Sequence, residues 1–417
     1  MACYHRRVTA QQFVLELGRA MHALGSPAYR VEDTMDACAR ALGLQGSFFA
    51  TPTAIFAGLG RPGEEPRTHL LRVAPGEHDL GRLAALYAIR DDVTTAMTTP
   101  TRGLLRVREV MGHRTRPSHG RELLAHVLAG GGAAVLFGGG GHEVLVAGGA
   151  GFLVGCLGLV SQWRPTFSDV QAPLACALVA FVVHLLAAAG FGLSVPIATI
   201  AAIVVLLPGL SFTTALAELS MRHLSSGSAR LLGTVAVLLS MAIGVGLGDR
   251  AAELLVGRVP ATTGEASWWG WQVPGLLATW IAYSVLLRAE RPQFGWVLLG
   301  VACGYGGARL GRETLGPELG AFVGALLVTI AGNLFSRFKR RPSAVVRTPG
   351  LLLLVPGSLG YRSLATAVAG DFARSAEFLF QMLLVGGSIV AGLLIAGVLV
   401  PPPLAVEPDS RARSFGP

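Results

Sequence analysis

Two short stretches of this chain place hydroxyl side chains directly after a backbone break. In LLPGLSFTTALAEL (206–219), Pro208-Gly209 precedes Ser211, Thr213 and Thr214; in LLLLVPGSLGYRSL (351–364), Pro356-Gly357 precedes Ser358. Proline removes a backbone donor and clashes with the preceding turn, and glycine lets the chain change direction, so each site is expected to be a broken helix end. Freed carbonyls and neighbouring hydroxyls suit the ammonium, carboxylate and hydroxyl of a small amino acid. The competing reading is that these hydroxyls cap or back-bond the broken helices. Glu218 is the first candidate proton carrier, because a carboxylate desolvated near a cavity can titrate near neutral pH. Asp371 is the second. Glu218 could equally be an interfacial acid beside Arg222. His184 lies mid-span in an apolar stretch and reads as a histidine bonded between helices in preference to a relay, and Asn333 as a similar link.

The elements that would hold these residues are membrane helices. Hydrophobic residues make up 52% of 417 positions and charged residues only 14%, with mean hydropathy +0.55, too apolar for a soluble chain of this size. Ten apolar spans follow residue 119, near 121–138, 143–160, 173–190, 193–208, 230–248, 273–288, 294–310, 317–335, 348–357 with its continuation, and 375–400. The spans divide into two halves of five, 119–249 and 273–402, joined by a polar linker at 250–272 and followed by a tail at 403–417. The linker ends in Trp268, Trp269 and Trp271, residues suited to a membrane–water interface. Span three resembles span eight and span two resembles span seven, and the two Pro-Gly sites lie 148 residues apart. An odd number of spans per repeat inverts the second half, the plan of alternating-access carriers.

Basic residues set the orientation. With the N-terminus inside, 18 Lys and Arg fall on inner segments and 6 on outer ones, and SRFKRRPSAVVR (336–347), between spans eight and nine, decides it most clearly. Both termini are therefore expected in the cytoplasm of a cell or plasma membrane protein. The net charge of +9 belongs to these loops and does not point to nucleic acid. The five cysteines form no CxxC pair, so no disulfide framework is expected.

Residues 1–118 read as a small soluble α+β domain. Phe13, Leu17, Met21 and Leu24 fall at helical spacing, as do Val31, Met35, Cys38 and Leu42, with Ser26-Pro27 as the expected N-cap pair and Gly43 as the stop. The segments 46–59 and 67–75 suggest a hairpin, with Thr51-Pro52-Thr53 ending or kinking an edge strand. Helical patterns return at 79–96 and 101–112.

GSPAYRVEDTMDACARALG (25–43), FATPTAIFAGL (49–59) and DLGRLAALYAIR (79–90) resemble the N-terminal domain of the threonine/serine exporter family. The run 206–232 is similar to that family's Pro-Gly, Leu-Thr-Asn-Ala, Asp-Leu, Ser-Gly and Arg-Leu pattern, and 315–342 with 352–364 to its five-span C-terminal half. Thr214 stands where the family usually has Asn, Glu218 where it often has Asp, and Arg222-His223 where Gly-Asp is common. The resemblance implies a secondary transporter for threonine, serine or similar small amino acids, with protons as coupling partner, in the lipid bilayer and open to homo-oligomer formation. No cofactor and no metal are expected. The chain has no GxSxG, HExxH or Walker A sequence, so neither a hydrolase nor an ATP-driven pump is expected. The alternatives are a hydrolase using the N-terminal domain, with Thr51 and Thr53, and a channel or structural membrane protein.

Overall fold

A computed structural model of the chain describes residues 2–74, 76, 78–113, 117–259 and 269–402. Helix α1 spans Ala2–Ala23 and α2 Ala28–Ala41, followed by strands β1 (Gln45–Thr51), β2 (Ala54–Gly60) and β3 (Arg67–Arg72), then α3 (Leu80–Thr94) and α4 (Pro100–Gly112). The strands form an antiparallel meander in the order β1-β2-β3. The expected hairpin is thus three strands, because 46–59 divides at Pro52-Thr53. Thr51 pairs with Ala54 across those two residues, and its hydroxyl donates to the Ala54 carbonyl at 3.2 Å. A proline in the loop costs the ladder no donor, so the turn can sit where sequence alternation shows no gap.

Helical periodicity is borne out. Phe13, Leu17, Met21, Val31, Met35 and Cys38 are all buried in one core with Ile55, Leu59, Leu86 and Ile89. Burial pushes the Cys38 thiol up to about 12, so it acts as a small hydrophobe. Gly43 follows the last turn of α2 with φ +68, the left-handed geometry a stop requires. The start of α2 differs from expectation: Pro27 occupies the N-cap position and no side chain of its own segment caps the helix.

Twelve further helices follow: α5 (His119–Leu136), α6 (Gly141–Trp163), α7 (Ser168–Ala188), α8 (Val195–Ala202), α9 (Gly209–Ser220), α10 (Leu224–Val256), α11 (Gln272–Leu286), α12 (Phe294–Leu315), α13 (Pro317–Lys339), α14 (Ala344–Leu354), α15 (Gly357–Val368) and α16 (Phe372–Leu399). Among the described residues six spans are long and apolar enough to cross a membrane: α6, α7, α10, α13, α14 with α15, and α16. The bent pair of α8 with α9 makes a seventh if taken as one span. Every apolar stretch named from the sequence falls on a helix or on such a pair. Of the linker tryptophans, Trp268 lies outside the described residues and Trp271 is exposed.

Small residues set the packing. A Cβ on Gly244 or Gly248 of α10 would lie 2.3 Å from the Pro173 carbonyl oxygen or 2.1 Å from that of Ala177, so α10 and α7 touch backbone to backbone. Within the first half α7 lies on α10, and within the second α13 lies on α16. Between halves α5 packs on α11, α9 on α16 and α15 on α10. Asn333 of α13 donates to the Val400 carbonyl at 2.7 Å, the helix link its polarity suggested.

Candidate substrate site at the two helix breaks

Both breaks are built alike. Pro208 sits at the N-cap of α9 with φ −79 and ψ 39, and Pro356 at the N-cap of α15 with φ −79 and ψ 29. The residues before them, Leu207 and Val355, are both extended. The two breaks also touch. A Cβ on Gly357 would lie 3.3 Å from Gly209 Cα and 3.4 Å from its nitrogen. One on Gly209 would meet Val355 Cγ1 at 2.0 Å. Glycine at 209 is therefore required for close approach, independently of its torsion angles. The chain also bends by 52° just ahead of the first break, at Ile203 between Val195–Ala202 and Val204–Ser220, whereas Ala344–Val368 runs through the second break as one span. The N-termini of α9 and α15 converge at this meeting point, bringing orphan N–H groups and positive dipole ends together.

Beyond the breaks a cavity of about 70 Å³ lies between the N-terminal domain and the membrane helices. At roughly 10–15 Å³ per water that is room for about five waters, the scale of one small polar solute. Thr213 and Thr214 line it from α9, and Arg347 and Thr348 from α14. Tyr29, Arg30, His78 and Asp79 line it from the N-terminal domain. Thr213 is buried and its Oγ1 has no hydrogen-bond partner among the described residues. It is not back-bonding its own helix, the bland role open to it from sequence. Ser211 and Ser358 are half-buried near the breaks and do not line the cavity.

Glu218 is fully buried. Its Oε1 accepts from the Ala28 amide at 2.9 Å and from Arg230 Nη2 at 3.2 Å; its Oε2 accepts from Ser226 Oγ at 2.9 Å and Arg230 Nε at 3.1 Å. Arg230, not the neighbouring Arg222, is its cation. The Ala28 bond explains the start of α2: the capping oxygen comes from α9, 190 residues away. A second seam joins α3 to α11, where the Leu80 and Gly81 amides donate to the Leu287 and Arg288 carbonyls at 2.9 and 3.3 Å. First-turn donors of one helix there satisfy last-turn acceptors of another. Glu32, two residues from Arg30, points elsewhere: it accepts from the Ala50 amide at 2.8 Å and lies 3.6 Å from His223. Asp371 is exposed and caps α16, accepting from the Arg374 amide at 3.1 Å, so it is not brought near Glu218's cluster.

Sequence reasoning missed Asp249. His184 Nδ1 lies 3.8 Å from Asp249 Oδ1, and His184 Nε2 is 3.2 Å from the Gly257 carbonyl, so this buried histidine joins α7 to α10 and its C-terminal turn. Asp249 sits just past the apolar run of its span, where an acid reads as the start of a loop. Tyr29, Tyr87 and His78 were equally invisible as cavity residues, since only the docking of two domains brings them to it.

The family comparison is now decisive. A family model described as "Putative threonine/serine exporter" matches residues 12–250, and one described as "Threonine/Serine exporter, ThrE" matches 275–399. The chain belongs to the threonine/serine exporter family. Both halves of that exporter lie in one polypeptide, and the two matches leave only 251–274, most of the linker, between them. Among curated proteins it is similar to "Pheromone-regulated membrane protein 10" of Debaryomyces hansenii, 24% identical over 94% of this chain and 42% of the relative. The protein of the same name from Eremothecium gossypii is 25% identical over 84% of this chain and 48% of that protein. An uncharacterized protein of Schizosaccharomyces pombe is 22% identical over 84% and 47%. This exporter-family chain thus spans less than half the length of these relatives. No solved structure matches it significantly.

The N-terminal domain of this family member carries two histidines, His22 buried and His78 half-buried, whose neutral forms desolvation favours. His22 is pushed below the usual histidine value by burial, and His78 likewise by burial and then by Arg230. A depressed folded-state value gives stability that is complete above about pH 6.5 and is lost as pH falls through the folded value. The melting temperature should therefore drop on acidification below pH 6.5. Replacing His22 with Gln and His78 with Asn together should flatten that slope. An unchanged slope in the double variant would place the acid sensitivity elsewhere.

Proposed function

We propose that this chain is a secondary transporter that exports threonine, serine or similar small amino acids across the plasma membrane in exchange for protons. The observation that carries the reading is the meeting of two alike, independently encoded helix breaks beside a solute-sized cavity that arginine and threonine side chains enter. Discontinuous helices at corresponding positions of two repeats form substrate sites in secondary transporters because their freed backbone groups can face a ligand. Pro208, Gly209, Ser211, Thr213 and Thr214 form one side of the proposed site and Pro356, Gly357 and Ser358 the other. Ten spans in two inverted five-span repeats fit the reciprocal packing of α9 on α16 and α15 on α10. Arg230, Arg288 and Arg347, all on segments assigned inside by charge counting, face the N-terminal domain, which supports a cytoplasmic N-terminus.

Glu218 couples the proton in this scheme, with Asp371 as the alternative. A proton arriving on Glu218 competes with donors that hold the N-terminal domain in place, so uptake would loosen the domain as the site changes sides. A potential of about 100 mV supplies roughly 2.3 kcal/mol per charge moved, enough for an accumulation ratio of a few tens. Counterflow of labelled threonine and serine in proteoliposomes, with and without an imposed pH gradient, tests the reading. Saturable exchange accelerated by the gradient is expected. Flux that neither saturates nor responds to unlabelled substrate on the far side would identify a channel.

A further inference from the structure

The cavity between the N-terminal domain and the membrane helices has an unbalanced charge. Its titratable walls are Arg30, Arg347, His78 and Asp79, with the phenols of Tyr29 and Tyr87. Asp79 is already engaged: it accepts from the Arg82 amide at 2.9 Å and lies 3.6 Å from Arg82 Nε and 3.9 Å from Arg288. His78 is held toward its neutral form by burial. Among the described residues no carboxylate makes an ion pair with Arg30 or Arg347; Asp33 acts on Arg30 only from a distance. Tyr29 lies close enough to both guanidiniums to interact with each. Arg30 Nε is buried without a hydrogen-bond partner, and so is Thr213 Oγ1 on the facing wall.

Among the described residues Arg30 Nε and Thr213 Oγ1 are buried donors without partners, and the Arg347 guanidinium on the same wall has no carboxylate paired to it; a desolvated space with this charge calls for an anion, since a buried donor left unpaired is costly and more so when charged. The fork geometry of arginine matches a planar carboxylate. The rest of the wall mixes Leu24, Leu83, Leu210 and Leu351 with the hydroxyl residues Thr214, Ser343 and Thr348, and the volume suits one small solute. We propose that Arg30 and Arg347 form a carboxylate clamp for the transported amino acid, with Thr213 as a further donor, so that the substrate pocket is completed by the N-terminal domain. This assignment rests on the transport reading above and adds to it the chemical handle by which the substrate is held. It also gives the soluble domain a part in recognition, because Arg30 comes from α2 and Arg347 from α14.

The test is binding of labelled L-threonine to the purified full-length chain, with L-threoninamide, acetate, chloride and inorganic phosphate as competitors. Threonine should bind and threoninamide should fail to compete, since it lacks the carboxylate. Arg347→Gln and Arg30→Gln should each weaken threonine binding at least tenfold, with melting temperature and elution volume as checks on folding. Should either variant fail to fold, Arg30→Lys, which keeps the charge and loses the fork, should still weaken binding several-fold. Equal competition by threoninamide, or unchanged affinity in folded Gln variants of a chain that performs counterflow, overturns the clamp and leaves the transport reading standing. Absence of counterflow together with Arg347-dependent binding of acetate keeps the carboxylate site and removes the transport reading. Binding of chloride or phosphate but of no carboxylate overturns the proposal.

Discussion

Replacing Glu218 with alanine should detach the N-terminal domain from the membrane helices. The substitution leaves the half-buried Arg230 without its carboxylate, removes the acceptor of Ser226 and uncaps the first turn of α2. Breaking a buried pair by deleting one partner costs about 3–5 kcal/mol because the surviving charge is left uncompensated. Hydrogen exchange of the segment 24–42 should accelerate sharply, while α13, which packs on α12, α14 and α16, keeps its protection. Glu218→Gln is the finer probe. It keeps shape and one acceptor oxygen, and in the proposed mechanism abolishes gradient-driven transport while sparing substrate exchange, which moves no net proton. Full gradient-driven transport in that variant would show that the acid is a latch alone.

The second large effect is expected at Gly209. An alanine there places its Cβ 2.0 Å from Val355 Cγ1, and valine is stiff about χ1, so the overlap has no cheap relief. Alanine's better helix propensity, up to about 1 kcal/mol, opposes the loss but does not match it. Overpacking of this kind costs about 1–3 kcal/mol, and the two breaks would be pushed apart, with transport lost. Val355→Ala removes the colliding methyl. In the double variant the two effects should therefore cancel in part, giving a coupling energy above about 0.5 kcal/mol between residues 146 positions apart. Strict additivity of melting temperatures would mean that the breaks do not touch. Gly357→Ala, with its nearest atoms at 3.3 Å, should be much milder.

How much of this was legible beforehand varies by residue. The helices α1 and α2 were readable because Phe13, Leu17 and Met21, then Val31, Met35 and Cys38, repeat at the period of a buried helical face. The breaks were readable because proline and glycine act locally. That they touch was not, since no local rule relates Gly209 to Gly357. Glu218 could be seen as unusual, an acid in apolar surroundings, and the sequence offered Arg222 as its neighbour. One helical turn of separation favoured that choice, but Arg222 adopts φ +66 at the end of α9 and the chain then reverses, which brings Arg230 of α10 alongside instead. The missing cap of α2 was the more telling clue. Ser26 looked like a normal N-cap, so the vacancy filled by Glu218 could not be suspected. Arg347 was visible only as a charge to be counted for topology and Arg30 only as part of the segment 25–43; their convergence is a property of the docked domains.

The long-range cap also has a consequence for biosynthesis. The N-terminal domain leaves the ribosome first, yet the oxygen that completes α2 is encoded 190 residues after the amide it accepts from. At roughly 5–20 residues per second, the chain waits about 10–40 s between making Ala28 and making Glu218. During that interval the domain has its hydrophobic core but lacks its anchor, and the first membrane spans can enter the bilayer without it closing over them. Docking can begin only after α9 and α10 have been made, so the order of translation itself keeps the domain from obstructing insertion of the helices it will later cover.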